Sequence, residues 1–255
     1  MKLITGLFMA WGNFLSVPCP CKKWDSDLKN YMLACLPSVG LIIGLLWAAA
    51  CLLLIWIGTP FLVLSFIMTF LLFALCGFMH LDGFMDCCDA IMSRRPMEEK
   101  QRILKDSHCG AFSVVSLVFM ILGFYSMIST SLSMGLDFVD LCIIPVISRA
   151  AAGVNVILRK PLGHSQYSQG AGADDKKQKK NALIIMSVQV IIFGAAAMVF
   201  ATDRIPTLTV MAAAALGSYL SAVFAKRKLG GMSGDIAGFS IVWGEFAGIL
   251  AMLII

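Results

Sequence analysis

Charge is what this chain has least of. Asp, Glu, Lys and Arg make up 14% of its 255 residues, where a soluble domain carries about a quarter. With 59% hydrophobic residues and a mean hydropathy of +0.87, that shortfall excludes an ordinary water-soluble fold. No stretch is polar enough to build a separate soluble domain, so residues 1–255 read as one integral membrane domain. The sequence also lacks a Cys-x-x-Cys pair, the spacing typical of zinc and redox sites. Of the nine cysteines, Cys35, Cys51, Cys76 and Cys142 fall in or at the ends of apolar runs, where a thiol packs as a small hydrophobe. Cys87, Cys88 and Cys109 are expected as free thiols in the reducing cytosol. Cys19-Pro20-Cys21 receives no function. Internal repeats and low-complexity tracts are absent too. No small-x-small cleavage site follows the apolar stretch 3–17, and Pro18 precedes Cys19, which argues against a signal peptide or a lipoprotein anchor. That stretch, broken by Gly12 and Asn13, is expected to be an uncleaved interfacial or re-entrant segment.

What the chain does have is apolar length. A spanning helix needs about 20 mainly apolar residues, and seven segments supply them: 33–57, 60–79, 111–134, 138–158, 182–201, 207–225 and 236–255. The expected fold is an all-α, polytopic membrane helix bundle. The 138–158 span is the weakest, since Asp140 and Arg149 interrupt it and Pro145 would kink it. Seventeen basic residues occupy alternate connections (20–32, 80–110, 159–181 and 226–235), and the intervening connections hold Arg204 alone. That alternation places the N-terminus and the charged loops in the cytosol and the C-terminus outside. The basic residues therefore orient the chain in the lipid bilayer, and the net charge of +5 does not point to nucleic acid. Gln169–Lys180, Gly-bearing and then Lys-rich, reads as a mobile loop.

Chemistry concentrates in His80-Leu81-Asp82-Gly83-Phe84-Met85-Asp86-Cys87-Cys88-Asp89, at the inner end of the second span. If the helix continues, Asp82, Asp86 and Asp89 fall within about 60° of arc on one face. Three like charges repel, and an acid at this depth costs roughly 2.5–3.5 kcal/mol. A divalent cation offsets both penalties, and carboxylate oxygens are what Mg²⁺ prefers. The alternative is a solvated cytoplasmic face with fortuitous acids, or an N-cap at Asp82. Zinc on His80, Cys87, Cys88, His108 and Cys109 is disfavoured, because adjacent cysteines diverge by about 100° on a helix. His80 lies about 160° around the helix from Asp82, which suits a substrate contact or a support for the ligands. A short cytoplasmic helix follows, with Ser93 as cap, Pro96 in its first turn and a Glu98–Arg102 pair. It leads into Lys105-Asp106-Ser107-His108-Cys109-Gly110. Asp106 could complete a metal site or act as base, and Lys105 could hold a phosphate. Gly230-Gly231-Met232-Ser233-Gly234-Asp235, behind Lys226, Arg227 and Lys228, is either a phosphate cradle at a helix N-terminus or a linker capped by Ser233 or Asp235. Arg149 and Glu245, ionisable groups inside apolar spans, are expected to face the bundle interior and to pair; a pair between the two would satisfy both.

Together these motifs resemble the cobalamin synthase family, the adenosylcobinamide-GDP ribazoletransferases of cobamide biosynthesis. The resemblance rests on His80-Leu81-Asp82-Gly83 with Asp86 and Asp89, then Lys105-Asp106-Ser107 with Gly110. Arg159-Lys160-Pro161-Leu162-Gly163 and the Gly230–Asp235 run complete it, in the family's order over nearly the whole chain. Ala90 stands where many members carry Gly, and Cys87-Cys88 where small or polar residues are usual; neither change touches a carboxylate. The resemblance implies a Mg²⁺-dependent condensation at the bacterial cytoplasmic membrane. Adenosylcobinamide-GDP and α-ribazole (or its 5′-phosphate) would give adenosylcobalamin (or its 5′-phosphate) and GMP. Asp82, Asp86 and Asp89 would hold the metal, with Asp106 as a further ligand or the base. His80, Lys105, Ser107, Arg159, Gly230, Gly231, Ser233, Gly234 and Asp235 would contact substrate. A homo-oligomer is neither required nor excluded. Two other readings share the clustered acids. A CDP-alcohol phosphatidyltransferase follows its Asp-Gly with Ala-Arg, which this chain lacks, and a cation-coupled transporter places its acids near mid-membrane between related halves.

Overall fold

The computed structural model describes residues 1–106, 108–163 and 173–254. These residues form eleven α-helices and no strand: α1 (Lys2–Phe14), α2 (Lys29–Ala34), α3 (Leu36–Trp56), α4 (Phe61–Ala74), α5 (Met79–Met92), α6 (Met97–Ile103), α7 (Ala111–Met134), α8 (Phe138–Leu158), α9 (Ala173–Phe200), α10 (Arg204–Leu229) and α11 (Gly234–Ala251). Six of them, α3 and α7 to α11, are long and apolar enough to cross a membrane, with most of α9 taking part. A seventh crossing exists if the bent pair α4 and α5 counts as one span. Large apolar side chains such as Phe119, Ile191 and Val199 stand about 70% exposed on these helices, an outer surface suited to lipid and costly in water.

The second expected span is broken. α4 stops at Ala74, and α5 sets off at 83° to it. The cause is local: Gly77 takes a left-handed φ of +60°, its N–H bonds the Ala74 carbonyl, and the Phe78 N–H reaches back to Phe73. This paired capping pattern, with Gly at the left-handed position, ends helices. The acidic stretch is thus a new helix rather than a continuation of the span.

The weakest expected span turns out to be the centre of the bundle. α8 is the most buried of the crossing helices and packs on α3, α9, α10 and α11. Small residues let it approach α3: a side chain on Gly40 or Gly44 would run into the α8 backbone at Pro145 or Cys142, the close-packing device of membrane helices. Polar staples join the outer pieces. The Trp47 indole donates to the Met68 carbonyl at 2.7 Å, and Gln189 bonds both Ala34 (2.7 Å) and Ser38 (2.6 Å). α1 packs on α2 and α3, and its 13 residues are too few to cross.

Two local expectations change. Ser93 ends α5 instead of starting α6, and Arg102 pairs with Glu99 at 3.0 Å rather than with Glu98. The stretch expected as a mobile loop is helical from Ala173 onward, because Lys and Gln are good helix formers and Asp175–Lys179 makes an i, i+4 pair at 2.7 Å. Its earlier part, through residue 172, lies outside the described residues.

Candidate active site

Gly83 decides where the acids meet. A Cβ there would stand 2.8 Å from the Asp235 backbone, so its absence lets α5 press against the first turn of α11. Phe84 and Phe239 stack across the same seam, with ring centroids 5.6 Å apart. The contact brings Asp235 to the acidic face of α5. Asp86, half-buried, feels the charges of Asp82, Asp235 and Asp89 together. Asp235 was expected as a cap or substrate contact; folding makes it the fourth carboxylate of the cluster.

Asp89 has another task. Its two carboxylate oxygens accept the Gly110 N–H at 2.7 Å and the Ser113 N–H at 3.0 Å. These are donors without an intrahelical partner at the start of α7, whose capping residue, Gly110, has no side chain to serve them. Asp89 therefore caps α7 from a neighbouring helix. Asp89→Ala should lower stability by about 1–2 kcal/mol, read by thermal melting of the purified protein; an unchanged melting curve would refute the capping role.

A cavity of about 160 Å³ opens beside the cluster, with Asp82, Gly234 and Asp235 among its lining residues. Leu33, Leu36, Ala152, Val156 and Ile241 form apolar walls, and the buried His80 and Arg149 line it as well. Arg149 is held on several sides. Its Nη1 donates to Glu245 at 2.6 Å and to the Pro145 carbonyl at 3.2 Å, and its Nη2 to the Cys76 sulfur at 3.0 Å. The two ionisable residues of the apolar spans thus find their partner in each other, both members 1% exposed.

The remaining candidates sit on the connections between helices. Lys105 and Asp106 are exposed on the α6–α7 connection, and Asp106 is not among the carboxylates acting on Asp86. Hydrogen bonds from the His108 ring (2.6 Å) and backbone N–H (3.0 Å) hold Asp106 below the usual carboxylate range. Ser107 lies outside the described residues. Arg159 bonds Asn155 and stacks over Tyr219, 5.2 Å from the ring centroid.

The glycine run divides into two parts. Gly230 (φ +90°) ends α10, its N–H spent on Lys226, and Gly231 packs against the Leu162 backbone. Reciprocal bonds of 2.9 Å, Met232 N–H to Lys160 and Leu162 N–H to Met232, zip this turn to the start of the α8–α9 connection. Lys226, Arg227 and Lys228 fill the last turn of α10, where cations suit the helix dipole. Ser233 caps α11, its hydroxyl accepting the Ile236 N–H at 3.3 Å, and Ser233–Asp235 is the part of the run that faces the cluster. Cys87 and Cys88 are core residues, while the Cys109 sulfur meets the Ser113 hydroxyl.

Among the described residues, no three His, Cys, Asp or Glu side chains come together as a group that could hold a metal ion. Mg²⁺ needs no such group of three, since it commonly binds proteins through one or two carboxylates and completes its shell with water and substrate phosphates.

The comparisons with known proteins agree on one family. A family model described as "Cobalamin-5-phosphate synthase" matches residues 6–253. The chain is 36% identical over 251 residues to an adenosylcobinamide-GDP ribazoletransferase from Clostridium perfringens (strain SM101 / Type A), covering 97% of this chain and 96% of the relative. It is 34% identical to one from Clostridium botulinum (strain Alaska E43 / Type E3) over 257 residues (98% and 97%). A Geobacillus kaustophilus relative of the same name is 28% identical over 249 residues (94% and 92%). No solved structure matches the chain.

Proposed function

Since the chain belongs to the cobalamin-5-phosphate synthase family, we propose that it joins adenosylcobinamide-GDP to α-ribazole or its 5′-phosphate. The products are adenosylcobalamin or its 5′-phosphate, and GMP. The observation that carries this reading is the meeting of Asp82, Asp86 and Asp235 beside a cavity whose walls are apolar. In the reaction, the ribose 3′-hydroxyl attacks the phosphorus attached to cobinamide. A new P–O bond forms, the bond to the GMP oxygen breaks, and the hydroxyl proton passes to a base.

Asp82 and Asp86, with Asp235 opposite, are the residues that would hold Mg²⁺; Asp89 is left to the α7 cap. Such an ion, when bound, neutralises charge developing on the phosphate oxygens. Asp82 and Asp235 line the cavity, so one of them takes the hydroxyl proton. Asp106, four residues before the Gly110 that Asp89 holds, is the alternative base. The exposed Lys105 attracts the diphosphate as a point charge. Arg159, already stacked on Tyr219, steadies the loop beside Gly231. The protein works in the bacterial cytoplasmic membrane, with its N-terminus and the site-bearing connections in the cytosol, as the basic alternation directs.

The test is GMP release from the purified protein given adenosylcobinamide-GDP, α-ribazole and Mg²⁺. Release that stops on chelation and returns with Mg²⁺ is expected. Absence of GMP would sink the function, and GMP release indifferent to chelation would sink the role of the metal.

A further inference from the structure

The cavity beneath Asp82 and Asp235 has a shape and a chemistry that the reaction leaves unassigned. Resting on the function proposed above, we infer that it receives the aromatic base of the acceptor nucleoside and so sets which base is accepted. Three observations carry this. First, the space of about 160 Å³ suits a fused two-ring base of roughly ten heavy atoms and is far too small for a corrin macrocycle. Second, the walls from Leu33, Leu36, Ala152, Val156 and Ile241 offer apolar contact. Guanine and the adenine of the adenosyl group, the other planar bases in the reaction, carry several polar atoms around their edges; those turned to these five side chains would go unpaired, a cost of about 1–3 kcal/mol for each. Third, Arg149, a lining residue 1% exposed, keeps its Nε–H buried and without a partner. A benzimidazole-type base has one free ring nitrogen, an acceptor, and nothing else polar at its far side. The base brings one acceptor to a wall residue that holds one unpaired donor, and a small shift of the Arg149 side chain, whose Nε has under 1 Å² of exposed surface, joins them.

This placement also orients the reaction. With the base against Arg149 and His80, the attached ribose lies toward Asp82 and Asp235 at the mouth, where its hydroxyl must lose a proton. The corrinoid, too large to enter, stays outside.

The test measures steady-state kinetics of the full-length protein with both substrates varied. Ala152→Leu pushes three extra carbons into the cavity from a position 1% exposed. It should raise KM for α-ribazole about tenfold or more and leave KM for adenosylcobinamide-GDP within about twofold. The riboside of plain imidazole, lacking the second ring, should lose much less. Val156→Ala acts in the opposite direction and guards against a misfolded first variant. It should raise kcat/KM for a riboside with a three-ring base relative to α-ribazole. An Ala152→Leu enzyme whose KM rises for the GDP substrate instead, or for neither, overturns the inference. So does a Val156→Ala enzyme with unchanged base preference. Failure of the wild type to release GMP would strike the proposed function itself, whereas a working wild type with base-blind variants strikes this inference alone.

Discussion

Asp82→Asn is expected to lower kcat by about three orders of magnitude while expression and melting temperature stay close to wild type. Asp82 is exposed at the cavity mouth, so removing its charge takes little from packing. What disappears is one anionic arm of the site. Loss of a charge-stabilising group from a phosphoryl-transfer centre is worth several kcal/mol of barrier, and each 1.4 kcal/mol is about tenfold. Asp86→Asn should be at least as damaging to turnover. Its effect on stability has the opposite sign, because Asp86 stands among three like charges and an amide removes that repulsion. A slightly raised melting temperature with lost GMP release would identify the cluster as strain retained for function. Full turnover in Asp86→Asn would end this assignment of roles.

Arg149→Met should be the most destabilising single substitution in the bundle interior. Arg149 and Glu245 are fully buried partners at 2.6 Å, and removing one leaves the other as an uncompensated charge, a loss of about 3–5 kcal/mol. The same change frees the Cys76 sulfur and the Pro145 carbonyl from their donor. The double variant Arg149→Met with Glu245→Leu should regain at least half of the loss, because no lone charge remains. Thermal melting in one detergent compares the three proteins. A double variant as unstable as the single one would show that the cost lies in packing rather than in charge.

How far these features could be read from residues alone depends on range. The spans were legible because hydropathy is a property of the segment itself. The break within 60–79 was not, since Leu75 to Met79 is as apolar as its surroundings. Gly77 was the available signal, a residue free to turn left-handed just before a polar, acidic helix. The shared face of Asp82, Asp86 and Asp89 followed from helical spacing. Its division of labour did not, because Asp89 answers to donors on α7, 21 and 24 residues away, and Asp235 arrives through a helix contact that Gly83 permits. Arg149 and Glu245 each called for an interior partner, but that each is the other's partner is shown by the fold alone. The local partner of Asp106, His108 two residues on, was equally illegible, because a turn rather than a helix sets that contact.

The interruption after α4 also bears on biogenesis. A chain that turns through 83° inside an apolar stretch leaves backbone groups that hydrocarbon cannot satisfy, and their partners come from both directions along the polypeptide. The Leu75 carbonyl is met by the Ser16 N–H at 2.9 Å, made long before it. The Cys76 sulfur waits for Arg149, made 73 residues after it. The surroundings of the bend are therefore complete only once α8, which carries Arg149, has been made.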